Sequence, residues 1–156
     1  MIRSMLYATD LGVYAPFVMQ HAVALARSFN AQLYVIHAVE PMGLIAESVL
    51  QSYLDESTLD RLHNHGLSAV MAGIETKVLQ SLRSDLGDDE PDLALIRAVR
   101  VLQGDPAEVI LDQAQRLKVD LLVLGSHGRS ALSQALLGSL AQHYLHKAPC
   151  DVFVVR

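Results

Sequence analysis

The stretch from Asp120 to Ser139 holds the residues best suited to chemistry. An apolar run, Leu121-Leu122-Val123-Leu124, is followed at once by Gly125, then by Gly128, and after nine intervening residues by Gly138 and Ser139. A glycine loop that leaves a strand and enters a helix can turn backbone N–H groups toward an anion. Small residues at the helix start let a phosphate approach its positive end. Glycine is also the ordinary residue of structural turns. The residue types alone leave both readings open, an anion cradle and a left-handed turn.

Other side chains compete for attention. His127 has the titration range of a phosphate donor or general base, although an exposed loop histidine without chemistry is the commoner case. Arg129 is a natural phosphate partner or a solvated loop residue. Ser126 beside His127 hints at a hydrolase, but the G-x-S-x-G elbow is missing and adjacency does not make a triad. His143, His146 and Cys150 lie near one helix end and suggest a metal. A cation near a helix C-terminus explains His146 as well, and Cys150 reads as a small buried residue. His63 and His65, two apart, do not share a helix face and read as surface. No metal ligand set among the side chains stands out.

The whole chain narrows the options. Its 156 residues suit one ordinary domain, residues 1–156, about half apolar and a fifth charged. A formal net charge of -5, with twelve scattered basic residues, argues against nucleic-acid binding. No run reaches the ~20 apolar residues that span a bilayer. The first residues enter a strand pattern directly, without signal-peptide anatomy, and Cys150 has no partner for a disulfide. The expectation is a cytoplasmic protein.

Short apolar runs alternate with helical spacing along the chain. Met5–Ala8 is a strand that ends in Thr9-Asp10-Leu11-Gly12. Pro16 opens a helix with Val18, His21, Ala22, Leu25, Ala26 and Phe29 on one stripe, and Asn30 stops it. Leu33–Val39 is a second strand. From Ile45 to Leu86 the pattern is helical but broken. Ser57 or Thr58 caps a helix whose inner face carries Leu62, Ala69, Val70, Val78 and Leu82, and Gly66 and Gly73 allow close packing or mark a break. Residues 87–91 form a polar turn. Leu95–Leu102 is a third strand, and its two arginines suggest an edge. Asp105 caps a helix with Pro106 in its first turn, burying Val109, Ile110, Ala114 and Leu117. Strand four is Asp120–Leu124. A helix from Leu136 to His146 turns Leu140, Ala141, Tyr144 and Leu145 inward, and Asp151–Arg156 is the fifth strand.

This order predicts an α/β fold, a doubly wound five-stranded parallel sheet with helices on both faces and the Rossmann-like strand order 3-2-1-4-5. Ligands of such sheets bind beyond the strand carboxyl ends where the strand order reverses. If strands one and four are neighbours there, Asp10 and the glycine loop line one crevice. Neither G-x-x-x-x-G-K-[ST] nor a G-x-G-x-x-G after strand one is present.

Gly125-x-x-Gly128, nine residues, Gly138-Ser139 resembles the ATP-binding signature of the universal stress protein family. Leu6–Asp10 looks like that family's first strand and its adenosine-contacting aspartate. Val35–Val39, Gly104-Asp105-Pro106 and Cys150–Val155 resemble its second strand, Gly-x-Pro turn and last strand. Ala8 departs from the proline or valine common in relatives, and the segment from Pro41 to Pro91 is generic. The resemblance implies that Thr9, Asp10 and the backbone of Ala38 contact adenine and ribose. Gly104 and Leu124 would line the adjoining wall. Gly125, His127, Gly128 and Arg129 would pass under the phosphates, and Gly138, Ser139 and Leu140 would close from the other side. It implies ATP, with ADP or AMP as alternatives, together with Mg²⁺ or Mn²⁺ held mainly by the phosphates.

The resemblance also implies a homodimer through Val152–Val155, whose free edge a two-fold partner strand would satisfy. It points to a nucleotide-dependent binding or signalling module. A slow ATPase or nucleotide-transfer enzyme is the competing class. The sequence shows no paired carboxylates, catalytic lysine or clear water-activating base for it. A third reading is a stress protein acting by protein contacts without nucleotide.

Overall fold

The computed structural model describes residues 1–41, 52–53, 55–87, 90–126 and 139–156. The strands are β1 (Ser4–Ala8), β2 (Gln32–Val39), β3 (Ile96–Gln103), β4 (Leu121–Gly125) and β5 (Asp151–Val155). The helices are α1 (Ala15–Phe29), α2 (Glu56–Arg61), α3 (Leu67–Leu86), α4 (Glu90–Leu95), α5 (Pro106–Arg116) and α6 (Ser139–Lys147). All strand pairs are parallel, as the alternating pattern predicts, and the order β3-β2-β1-β4-β5 is the one expected of the Rossmann-like fold class. The strand order therefore reverses between β1 and β4.

Strand periodicity sorts the core into two layers. Met5 and Tyr7 of β1 face one side, with Leu33, Val35, Leu121 and Val123 from neighbouring strands. Helices α1 and α3 cover that side through Val18, Ala22, Ala26, Val78 and Leu82. Leu6, Ile36, Leu122 and Leu124 face the other side, under Ile110 and Ala114 of α5 and Tyr144 of α6. The strands are apolar throughout because both faces of the sheet are covered.

Local signals set the helix ends. Asn30 closes α1 in the left-handed conformation (φ 51°), and the next N–H, of Ala31, reaches back to the Ala26 carbonyl at 2.9 Å. The Asp105 carboxylate accepts the Glu108 N–H at 3.1 Å, with Pro106 at the first helical position of α5. At the amino end of the sheet, the Asp120 carboxylate accepts the N–H groups of Arg3 (2.8 Å) and Ser4 (3.0 Å). Those bonds hold its pKa below the usual carboxylate range. The buried Asp92 carboxylate receives the Arg27 guanidinium and ties α4 to α1.

Several finer expectations change. Phe29 and Leu145 are 45% and 48% exposed, so they flank their helices' buried stripes. Ala69 is exposed too, while Val78 and Leu82 are buried as expected. Leu95 ends α4, and the third strand begins one residue later. Ser57 and Thr58 lie inside the first turn of α2. The cap position falls to Asp55, whose carboxylate accepts the Ser57 hydroxyl at 2.6 Å and whose carbonyl accepts the Thr58 N–H at 3.1 Å. The break expected near Gly66 is a single wide helical turn over Leu62–Gly66. Gly73 has nothing within 4 Å of where a Cβ would stand, so close packing does not require it.

Candidate functional site

Of the predicted site residues, Thr9, Asp10, Ala38, Gly104, Leu124 and Gly125 lie along the carboxyl ends of the strands. β1 pairs with β2 up to Ala8–Ile36 and with β4 up to Tyr7–Val123. Ala38 lies near the end of β2, opposite Leu102, and Gly104 follows β3. Gly104, Ala38, Thr9-Asp10 and Leu124-Gly125 thus form a row across four neighbouring strands. At about 4.8 Å per strand, the row spans about 14 Å.

The centre of the row is the turn after β1. The buried Thr9 continues the ladder by donating its N–H to the Ile36 carbonyl at 2.9 Å. Its hydroxyl oxygen accepts the Leu11 N–H at 3.1 Å. Its carbonyl meets Nδ1 of the buried His37 at 2.7 Å. A carbonyl can only accept, so the imidazole donates through Nδ1. The Asp10 carboxylate accepts the Gly12 N–H at 2.8 Å, an Asx turn. Leu11 between them has φ 57°, a conformation that costs a non-glycine residue about 1–2 kcal/mol. Beneath the turn, the Tyr7 hydroxyl donates to the Ala15 carbonyl at 3.0 Å, and burial pushes its pKa up to about 12. A strained residue held by this many bonds belongs to a turn with a defined shape.

The flanks of the row are equally specific. Gly104 donates its N–H to the Val39 carbonyl at 3.0 Å and has φ 150°. A Cβ there would stand 2.6 Å from Cγ2 of Val109, so glycine lets the end of β3 pack against α5. Leu124 is buried, and Gly125 pairs with Val155. Ser126, also buried, donates its N–H to the Val155 carbonyl at 2.8 Å. The loop is therefore rooted in β5 as well as in β4. Ser139 and Leu140 open α6. His127, Gly128, Arg129 and Gly138 lie outside the described residues.

A cavity of about 360 Å³ lies on the α1 side of the sheet, lined by Tyr14, Phe17, Val18, Gly125, Ser126, Val155 and Arg156. It shares Gly125 with the row and is otherwise separate from it. The alternative metal reading gains nothing. His143 and His146 are exposed, and among the described residues no three His, Cys, Asp or Glu side chains gather. The Cys150 thiol is partly buried, and burial raises its pKa away from reactivity. Among the described residues, no helix is long and apolar enough to cross a membrane.

Residues 1–156 match the model of the universal stress protein family. The chain belongs to that family. It is 31% identical over 156 residues to a universal stress protein of Thermus aquaticus, with all of both chains covered. It is 32% identical over 140 residues to universal stress protein A homolog 2 of Coxiella burnetii, covering 89% of this chain and 84% of that one. A universal stress protein solved in complex with cAMP shares the fold. Its TM-score is 0.62 at 23% identity, over 99% of this chain and 97% of that one.

Two residues of this universal stress protein that shape the Asp10 turn carried no signal for it in the sequence. Tyr7 and His37 read as strand positions, and both reach the turn with their side chains. A histidine among Leu33, Val35 and Ile36 is the one visible irregularity.

Proposed function

We propose that this universal stress protein binds an adenine nucleotide along the strand-end row and acts as a nucleotide-dependent binding or signalling module in the cytoplasm. ATP is the ligand of choice, with ADP or AMP as alternatives. The observation that carries the proposal is the Thr9–Gly12 turn. It holds a carboxylate, Asp10, in a fixed pose at the β1–β4 switch point, beside the root of the glycine loop. Asp10 accepts hydrogen bonds from the nucleoside, and Ala38 and Gly104 offer backbone and a small wall beside it. The N–H groups at the start of α6, with the Ser139 hydroxyl and the loop glycines, take the phosphates. The cAMP complex of a family member supports an adenine nucleotide as the ligand class.

A divalent cation fits this arrangement if the phosphates carry it. Among the described residues no carboxylate and imidazole cluster could hold one alone. Mg²⁺ or Mn²⁺ held by the phosphates would neutralise their charge. The open edge of β5 is proposed to pair with the same strand of a second copy.

The test is direct. The purified protein is denatured and the released small molecules are identified by mass spectrometry, and the native protein is then titrated with ATP and Mg²⁺ while its melting is followed. Carried-over nucleotide or ATP-dependent stabilisation is expected. Absence of both would sink the proposal. Steady phosphate release well above a heat-killed control would transfer the site to the slow-ATPase reading.

A further inference from the structure

We infer that His37 is a positioning residue for the nucleotide site, holding the Thr9 carbonyl so that the Asp10 carboxylate leaves the end of β1 in one direction. The inference rests on the nucleotide reading for its ligand and on its own geometry for the rest.

The Thr9 carbonyl and the Asp10 N–H belong to one rigid unit. Holding the carbonyl oxygen fixes that plane and with it the position of the Asp10 Cα. The His37 imidazole does this from β2 at 2.7 Å, while the Thr9 N–H is held by Ile36 at 2.9 Å. Both sides of Thr9 are thus anchored to consecutive residues of the neighbouring strand. Beyond Asp10 the chain enters the left-handed Leu11. Releasing the Thr9 carbonyl gives that residue a route to relax, and relaxation swings Asp10 away from its Gly12 bond.

Packing does not require a histidine here. Leu33 and Val35 lie on the same face of β2 by strand alternation, and both are fully buried apolar residues. An apolar side chain at position 37 would fill space equally well. What it would lack is the N–H aimed at Thr9. The ring serves the turn that presents the Asp10 carboxylate, and its partner Thr9 is 28 residues away in sequence.

Side-chain chemistry makes the idea separable from a role in folding. In asparagine, Nδ2 is bonded to Cγ as Nδ1 is in histidine, so His37→Asn keeps a donor near the same point. His37→Leu keeps volume and loses the donor. With Mg²⁺ present, calorimetric affinity for ATP is expected to fall about tenfold in His37→Leu, the scale of one lost positioning hydrogen bond. In His37→Asn it should stay within about threefold of the parent. Affinity for inorganic tripolyphosphate, which has no nucleoside for Asp10 to meet, should be alike in all three proteins. Amide exchange at Leu11 and Gly12 should accelerate in His37→Leu while core amides keep their protection.

Equal ATP affinity in the parent and His37→Leu overturns the inference and leaves the nucleotide reading intact. Parallel loss of ATP and tripolyphosphate affinity in both variants also overturns it, since that is a structural defect. A parent protein that binds no nucleotide removes the ligand reading. The exchange rates at Leu11 and Gly12 then decide alone whether His37 holds the turn.

Discussion

The Asp10 carboxylate accepts the Gly12 N–H at 2.8 Å, and a Cβ on Gly12 would stand 3.0 Å from both carboxylate oxygens. Gly12 is not in the left-handed region, so its backbone tolerates alanine. The added methyl presses on a carboxylate that can rotate away. Gly12→Ala is therefore expected to change Tm by no more than about 4 °C, the shift of roughly 1 kcal/mol in a domain of this size. ATP affinity should drop about tenfold, read by calorimetry. Unchanged affinity would separate Asp10 from the ligand.

Gly104 should behave in the opposite way. Its φ of 150° and the 2.6 Å approach of Val109 Cγ2 make alanine costly before any ligand arrives. Gly104→Ala is expected to lose about 2–3 kcal/mol in urea unfolding, from backbone strain and overpacking together. Adding Val109→Ala removes the clash but not the strain, so the double variant should recover part of the loss. Additive destabilisation would show that the Val109 contact is not the cause.

How much of this was legible follows from how local each cause is. Asp105 and Asn30 act within their own helix ends, and residue type was enough to read them. The sheet followed from runs such as Leu121–Leu124, apolar on both faces. Phe29 and Leu145 sit at the edges of helical stripes, where exposure depends on what packs alongside, and periodicity misplaced both. Ser57 and Thr58 were good cap types beside Asp55, which takes the role, so composition could not choose among them. The site divides in the same way. Asp10 and Gly125 were visible by type and by their place after a strand. His37 was not, because its bond to Thr9 joins two strands. Gly104 was visible only through resemblance, and its reason is the Val109 side chain.

Two buried phenols predict an alkaline limit to stability. Burial raises the pKa of Tyr7 to about 12, with Asp10 and Asp85 adding to the rise, and burial raises Tyr144 as well. Their hydroxyls donate to the carbonyls of Ala15 (3.0 Å) and Pro106 (2.9 Å). A folded-state pKa above the unfolded value means the folded chain keeps its proton longer. The stabilisation is complete below about pH 10 and disappears as pH rises through about 12. Phenolate absorbance should show these tyrosines ionising together with unfolding in that window. Tyr7→Phe should lower stability at neutral pH by about 1 kcal/mol, the worth of one hydrogen bond, and flatten the alkaline decline. A decline of unchanged steepness in the Tyr7→Phe, Tyr144→Phe double variant would refute the assignment.

The edge strand offers a test of the proposed dimer that spares the fold. The Val155 carbonyl accepts the Ser126 N–H at 2.8 Å and so faces β4. The N–H and C=O of one residue in a strand point the same way, and those of the next point oppositely. Val154 and Val152 therefore turn their backbone groups to the open edge of β5. Proline at 154 removes an outward donor and blocks pairing there while the β4 ladder keeps its bonds. Val154→Pro is expected to halve the mass found by light scattering at micromolar concentration and to preserve the circular dichroism spectrum. Proline at 155 instead strikes the inward side and should destabilise the monomer itself. A parent protein that is already monomeric, or a Val154→Pro protein that stays dimeric, would rule out pairing through this strand.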